Sequence, residues 1–181
     1  MSTEIMQSSE SIYQGKIIRV RRDKILVNGV KPAVREVVEH NGGVAVAALT
    51  EKNELLFVRQ LRYAYGEELM EIPAGKRDSK DEDPMACGKR ELREETGARA
   101  AEFVPLGKLY PTPGYCNEII WLFGCRITGF GDTDMDEDED IEVERIPIEK
   151  AVEMVMNNEI PDAKTQIAVL KMAELVRTGR I

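Results

Sequence analysis

Three glutamates spaced for one helix face are the first residues here whose types and positions suggest chemistry. Glu91, Glu94 and Glu95 stand at i, i+3 and i+4, so on a helix they share a face and repel each other. The nearby negative C-terminal end of the helix adds to that cost. A hard cation would remove it, because Mg²⁺ prefers oxygen ligands and keeps water and substrate phosphate in its shell. The alternative is a solvated acidic face, with Arg90 and Arg93 as ion-pair partners.

The helix that carries these glutamates has recognisable ends. Asp83 can cap the free N–H groups, and Pro84 is tolerated at the first helical position. Gly97 suits the other end, because glycine accepts the left-handed conformation just past a helix. Together with Gly75 and Glu82 upstream, these spacings favour the metal site over the solvated face.

The stretch from Gly75 to Gly97 resembles the signature of the Nudix hydrolases. That signature is Gly, five residues, Glu, seven residues, then Arg-Glu-aliphatic-x-Glu-Glu-x-Gly-aliphatic. Its second half matches without exception, with Ala98 as a small final aliphatic, in the run Arg90-Glu91-Leu92-Arg93-Glu94-Glu95-Thr96-Gly97. In the first half, six residues separate Gly75 from Glu82. Either the loop carries one extra residue or Asp81 takes the glutamate's place, and the intact helical half favours the extra residue.

The resemblance implies a set of metal ligands around two or three Mg²⁺ ions, with Mn²⁺ as an alternative. The principal ligands would be Glu91, Glu95 and the carbonyl of Ala74, with Glu94 and Glu82 assisting. The resemblance further implies that Arg90 orients a glutamate and does not touch substrate.

An acidic stretch follows Gly131, and its plain interpretation is a solvated loop. It does not fit an EF-hand, because the required glycine and glutamate positions are not met. Family members of the ADP-ribose pyrophosphatase type supply a catalytic base from a loop in a Glu-x-Glu-Asp-aliphatic setting. Glu137-Asp138-Glu139-Asp140-Ile141 resembles it, which favours Glu139 as the base and leaves Glu137 as the alternative.

Other residues also resemble that type. Pro113, in the stiff loop from Tyr110 to Tyr115, stands where those enzymes carry a proline. Arg35-Glu36 and Arg62 occupy positions like those of their substrate-contacting Arg-Glu pair and arginine.

Arg59 and Arg62 also lie beside two tyrosines, Tyr63 and Tyr65. This grouping could bind phosphate and stack on a base. Surface ion pairs and partly buried aromatic rings explain the same four residues almost as well.

The resemblance implies hydrolysis of ADP-ribose to AMP and ribose 5-phosphate. One alternative keeps the chemistry and changes the substrate to another nucleoside diphosphate sugar, such as GDP-mannose. Another is a sensor that binds a nucleotide without cleaving it. A sensor should lack signature carboxylates, and Glu91, Glu94 and Glu95 are all present.

Composition narrows the setting. The chain has 181 residues and a formal net charge of −8, which argues against a general nucleic-acid or membrane-surface binder. Residues 1–10 lack a basic start and an apolar run, so we expect no secretion signal. Three cysteines, Cys87, Cys116 and Cys125, lack metal-ligand spacing, and a reduced cytoplasm suits them.

The remaining pattern predicts an α+β sandwich with a sheet between helices. The resemblance identifies it as the Nudix-type α/β/α sandwich, over residues 43–181, with an antiparallel β arm over residues 1–42. The arm has few large apolar residues, so we expect it to pack on a second subunit or to form a small separate sheet. The resemblance implies a homodimer with exchanged arms.

An Asn28-Gly29 hairpin is predicted to join the strands of the arm. The other predicted strands cover 44–49, 55–60, 69–74, 102–109 and 119–127. Two further helices are predicted over 147–156 and 162–176.

Overall fold

The computed structural model describes residues 2–134 and 141–181. Ten strands and three helices follow one another in these described ranges. Their bounds are β1 Glu4–Gln14, β2 Arg19–Val27, β3 Lys31–Glu39, β4 Gly43–Leu49, β5 Glu54–Arg62, β6 Glu67–Glu71, β7 Ala74–Lys76, α1 Pro84–Thr96, β8 Ala98–Leu109, β9 Ile120–Phe130, β10 Glu142–Pro147, α2 Ile148–Met156 and α3 Ala163–Arg177.

The larger sheet is built around β4. Its strands are ordered β10-β5-β4-β9-β8, with β6 paired to β5 and β7 paired to β4. β4 runs parallel to β9, while the other paired neighbours are antiparallel. Every residue of β4 is buried, as its continuous apolar sequence predicts for a strand covered on both faces.

Helices cover both faces of this sheet. Val44, Val46 and Ala48 belong to a core cluster with Cys87 and Leu92 of α1. The intervening β4 residues belong to a second cluster, together with Ala151 and Val155 of α2 and Ala168, Val169 and Met172 of α3. Since successive side chains of a strand point to opposite faces, β4 holds the two layers together, and the α/β/α sandwich is confirmed.

The N-terminal strands form a separate sheet, ordered β1-β2-β3. The predicted hairpin joins β2 to β3, with φ of 53° at Asn28 and 74° at Gly29, the left-handed values that such a turn requires. The sheet meets the rest of the chain at Val38, whose N–H donates to the carbonyl of Tyr115 at 2.7 Å and whose carbonyl accepts from Asn117 at 3.0 Å. All residues of β1 are exposed.

The structure differs from the predicted elements in its more polar strands. β1 begins at Glu4 and β10 covers Glu142–Pro147, although neither sequence shows clear apolar alternation. The prediction of one strand over residues 69–74 is wrong, because Ile72 and Pro73 separate β6 from β7. Proline lacks the N–H that a continuous ladder would use.

The apolar residues Ile167, Leu170 and Leu175 of α3 are predicted to face the core, and this prediction is wrong for Leu170. Leu170 is 41% exposed, whereas Ala168, Val169 and Met172 are fully buried. Positions three and four apart share a helix face, so the buried stripe runs through these smaller residues and leaves Leu170 outside it. Within the described residues, no helix combines the length and the apolar character needed to cross a membrane.

Candidate active site

Helix α1 has a fixed start and end. The Oδ1 atom of Asp83 accepts a hydrogen bond from the N–H of Ala86 at 2.8 Å. At the other end Gly97 adopts φ 67° and donates its N–H to the carbonyl of Arg93 at 2.8 Å. Both predicted caps are therefore confirmed, and they set which residues of the helix face the sheet.

The acidic face of α1 lies against strand β7. A Cβ added to Gly75 would lie 2.0 Å from Cδ of Glu91, far inside van der Waals contact. Only glycine leaves space for that carboxylate beside the β7 backbone. The requirement for glycine at position 75 is thus explained by its contact with Glu91 of α1, the helix that follows the signature loop.

Glu95 lies deeper in the same contact. Glu95 is only 2% exposed, and its Oε2 accepts a hydrogen bond from the N–H of Ala74 at 3.0 Å. A carboxylate seldom occupies such a position without compensating partners. Ala74 pairs with Ala45 of the central strand, so Glu95 is held against the rigid middle of the sheet.

Arg90 sits among three of the signature carboxylates. Its Nη1 lies 2.8 Å from Glu91 and 3.0 Å from Glu94, and its Nη2 lies 3.4 Å from Glu82. Burial alone would lower the pKa of Arg90, but the carboxylates of Glu91 and Glu94 outweigh it and raise this pKa above its ordinary value. Arg90 therefore stays charged and holds the acidic side chains together.

The longer signature loop closes on an arginine. Nε of Arg77 donates to the carbonyl of Glu82 at 2.9 Å, and its Nη2 donates to the carbonyl of Lys80. The carboxylate of Glu82 in turn accepts from the N–H of Asp78 at 2.7 Å. Glu82 thus reaches Arg90 despite the extra residue, while Asp81 is exposed.

These side chains line a cleft of about 500 Å³. It lies between β7 and the exposed edge of α1. Its lining residues are Gln60, Arg62, Ala74, Gly75, Lys76, Asp78, Arg90, Glu91, Glu94, Glu95 and Asp134.

The donor set of the cleft suits a hard divalent cation. Glu91, Glu95 and Ala74 meet at Gly75, and carboxylate and carbonyl oxygens are the ligands that Mg²⁺ and Mn²⁺ prefer. In residues 2–134 and 141–181, no three His, Cys, Asp or Glu side chains already form a metal cage. Mg²⁺ rarely needs one, since it binds through one or two carboxylates plus waters and substrate phosphates.

A smaller cavity of about 200 Å³ adjoins the cleft. The two share Arg62, Ala74, Gly75 and Lys76. The further lining residues of the smaller cavity are His40, Gly43, Val44, Glu118, Ile120 and Lys164. Together the two spaces form a cavity with two lobes, one acidic and one of mixed polarity, and Arg62 lies at their junction.

Arg62 is held by a buried carboxylate that the sequence analysis missed. Glu71 is 1% exposed, and it accepts from Nε and Nη2 of Arg62 at 2.6 and 2.5 Å. Nζ of Lys164 approaches the same carboxylate at 2.6 Å. The available signal was a charged residue within the apolar run Leu69–Ile72, since a buried glutamate is nearly always paired.

This network predicts how stability depends on pH. Burial alone would raise the pKa of Glu71, but the hydrogen bonds and charges of Arg62 and Lys164 outweigh it and lower this pKa. A lowered folded-state pKa contributes stability above the ordinary carboxyl range, and that contribution is lost as pH falls through the folded-state value. We expect the free energy of unfolding, measured in urea, to fall below about pH 4.5, the ordinary pKa of Glu71.

The charge of Glu71 can be isolated with a matched variant. Glu71→Gln keeps the shape but cannot titrate, so the stability difference from the wild type should shrink as pH falls from 7 toward 3. A difference that stays constant across this range would contradict the assignment.

The structure keeps several predicted substrate residues away from the cleft of their own chain. Arg35 pairs with Glu4, and Glu36 lies 3.2 Å from Arg22. All four belong to the arm and line neither lobe. The arm of this chain alone therefore does not bring the predicted Arg-Glu pair to the acidic cleft.

Three further predicted positions also lie outside the two lobes. Arg59 pairs with Glu144 at 2.9 Å and lines a separate depression beside Met154. Pro113 is exposed on its loop. Tyr63, which follows Arg62 in the sequence, is 95% exposed, so its ring does not belong to the core. Glu137 and Glu139 lie outside the described residues.

The fold and the carboxylate cleft together define a class of protein. The NUDIX domain matches residues 39–168, which is more than two thirds of the chain. The chain therefore belongs to the Nudix family and is a Nudix hydrolase that cleaves pyrophosphate bonds. Nudix hydrolases generally need a divalent metal.

Proteins similar to this chain are named for two different substrates, ADP-ribose and GDP-mannose. The chain is 35% identical to the ADP-ribose pyrophosphatase of Bacillus subtilis (strain 168) over 164 residues, covering 90% of this chain and 88% of that protein. It is 35% identical to the ADP-ribose pyrophosphatase of Mycobacterium tuberculosis H37Rv over 95% of this chain and 84% of that protein. It is 34% identical to the GDP-mannose pyrophosphatase of Enterobacter sp. (strain 638) over 74% of each chain.

Proposed function

We propose that this protein hydrolyses ADP-ribose to AMP and ribose 5-phosphate in the presence of Mg²⁺. The observation that carries the proposal is the meeting of Glu91 and Glu95 with β7 at Gly75, in a cleft that continues past Arg62. The matches to the two ADP-ribose pyrophosphatases cover at least 90% of this chain, against 74% for the GDP-mannose enzyme. This favours ADP-ribose over GDP-mannose.

Each residue of the cleft has a separate part in this proposal. Glu91, Glu95 and the carbonyl of Ala74 would hold two or three Mg²⁺ ions, with Mn²⁺ as an alternative, and Glu94 and Glu82 would assist. A metal bound there would neutralise charge on the pyrophosphate and activate a water for attack. Arg90 holds the carboxylates in place and does not reach the substrate.

The remaining groups act on the substrate and on the attacking water. Arg62 binds a phosphate oxygen at the junction of the two lobes. The water attacks phosphorus, and the bond from phosphorus to the bridging oxygen breaks. A general base takes the proton of the water.

We assign the base to Glu139, with Glu137 as the alternative. In support, Asp134 lines the cleft shortly before this acidic segment, and its N–H donates to the carbonyl of Glu94 at 3.0 Å. Glu139→Gln and Glu137→Gln, compared for kcat at saturating Mg²⁺, identify the base as the variant with the larger loss.

The arm, residues 1–42, is proposed as the dimerising part and residues 43–181 as the hydrolase domain. Ile5, Met6, Ile12 and Tyr13 of β1 are about half exposed, and a second subunit would cover them. Exchange of arms would carry Arg35 and Glu36 into reach of a substrate, with Pro113 shaping the loop beside it. Arg59, which lies on β5 of the hydrolase domain, stays a predicted substrate contact. Analytical ultracentrifugation should give a dimer, and deletion of residues 1–14 should give a monomer.

The proposed setting is the cytoplasm. The three cysteines are all free, as expected for a reducing compartment. The proposed partner is the small nucleoside diphosphate substrate, with no role for nucleic acid or membrane.

A substrate panel tests the proposal. ADP-ribose and GDP-mannose are incubated with the protein in Mg²⁺, in Mn²⁺ or in EDTA, and the products are separated by chromatography. We expect AMP from ADP-ribose in Mg²⁺ and none in EDTA. Release of GMP at the higher kcat/KM would favour the GDP-mannose alternative. Binding of ADP-ribose without product in either metal would favour the nucleotide sensor.

A further inference from the structure

The guanidinium of Arg62 lies at the junction of the two lobes, and among the described residues its hydrogen bonds go to Glu71. Its Nε and Nη2 donate to both oxygens of Glu71, which uses two of the five N–H donors of an arginine. The residue lines both lobes. The position of Glu71 therefore sets the direction in which the other N–H donors of the Arg62 guanidinium point.

Glu71 is in turn held by the first turn of α3. Lys164 approaches its Oε2 at 2.6 Å and the Oδ1 of Asp162 at 3.0 Å. Asp162 caps α3 by accepting from the N–H of Thr165 at 2.9 Å. The hydroxyl of Thr165 accepts from the N–H of Ile72 at 3.0 Å. The first turn of α3 is thus bonded to residues 71–72, which come shortly before Ala74 and Gly75 in the chain.

The charges of this group bear on how Arg62 meets an anion. Two carboxylates, Glu71 and Asp162, lie here with two cations, Arg62 and Lys164, and Glu71 contacts both cations. Without Lys164, Glu71 would keep Arg62 as its one cationic partner among the described residues, and the Arg62 guanidinium would be held less firmly. A charge buried with one partner removed also tends to move or to take up water.

We propose that Lys164 and Glu71 are positioning residues that aim the Arg62 guanidinium at the pyrophosphate of the substrate. This inference rests on the proposed function. It assigns to the start of α3 a part in substrate binding that acts through Arg62. It places no substrate contact on Lys164 or Glu71.

Binding in the absence of metal tests the role without turnover. Titration calorimetry in EDTA at low ionic strength gives Kd for ADP-ribose and for inorganic pyrophosphate. Lys164→Met and Glu71→Gln should each raise Kd about tenfold, the size expected for one charge-assisted hydrogen bond. In turnover assays with Mg²⁺, KM should rise by a similar factor with kcat nearly unchanged. Lys164→Arg should restore most of the affinity, because it retains the cation.

A double-mutant cycle separates positioning from direct contact. If Lys164 acts through Arg62, then Arg62→Met/Lys164→Met should bind no more weakly than Arg62→Met alone. Additive losses would mean that Lys164 touches the ligand itself, and would overturn the inference. Wild-type Kd values in both single variants would overturn it as well.

The control is another bidentate pair, at the opposite end of α3 from Lys164. Arg177 donates to both oxygens of Glu174 at 2.8 and 2.7 Å in the exposed last turn of α3. Glu174→Gln removes a similar pair far from the cleft and should leave Kd and KM unchanged. Suppose that pyrophosphate binding depends on Arg62 but ADP-ribose is not cleaved. The proposed substrate would then be wrong, while the positioning role of Lys164 and Glu71 would still stand. Pyrophosphate binding that ignores Arg62 would refute the inference itself.

Discussion

Glu95→Gln is expected to lower kcat for ADP-ribose hydrolysis by at least about 10³-fold. Metal polarisation of a phosphoryl oxygen is worth several kcal/mol, and about 4 kcal/mol corresponds to about 10³ in rate. Glutamine is nearly the same shape, and its oxygen can still accept from the N–H of Ala74. The fold should therefore persist while the charge needed for the metal is lost.

The measurement for Glu95→Gln is kcat over a range of Mg²⁺ concentrations, with circular dichroism to check the fold. Glu153→Gln is the matched control, because Glu153 is exposed on α2 and pairs with Lys150 at 3.4 Å. The control should keep wild-type activity. Near-normal turnover by a folded Glu95→Gln protein would remove Glu95 from the metal site.

Gly75→Ala should damage activity by displacing a metal-binding carboxylate. The added Cβ would lie 2.0 Å from Cδ of Glu91, so the carboxylate at the flexible end of that side chain would have to move away from β7. A displacement of about 1 Å at a catalytic group can cost about 10² in rate, so we expect kcat/KM to fall by at least that factor. Because only the end of a flexible side chain has to move, the free energy of unfolding should change little.

Gly129→Ala provides the comparison for Gly75→Ala. A Cβ at Gly129, in β9, would meet no atom within 4 Å. That variant should match the wild type in urea unfolding and in kcat/KM. Full activity of Gly75→Ala would show that Glu91 can leave β7 without consequence, against the proposed ligand set.

Local signals in the sequence predicted α1 and the central strand β4 well. Asp83, Pro84 and Gly97 act through their own backbone neighbours, so their roles could be inferred from order along the chain. The same holds for the continuous apolar run of β4. Contacts between distant residues were less accessible: Glu71 meets Lys164 only after α3 has packed on the sheet.

The weakest predictions concerned strands whose pairing is set by a neighbour. Nothing in Glu142–Pro147 alternates clearly, yet β10 forms because β5 offers it an edge over six residue pairs. The position of Arg35 and Glu36 likewise depends on how the arm is placed, which no local pattern encodes. Such residues are predicted only by resemblance, and their roles stay predictions.

The closure of the loop by Arg77 has a consequence for finding related proteins. Because a side chain, and no fixed backbone ladder, spans the loop from residue 77 to the carbonyl of Glu82, the number of residues between them can vary while the glutamate keeps its place. A pattern search that demands one spacing between the first glycine and glutamate would pass over this chain. A search that scores the helical half and allows a variable gap before it would recover such members.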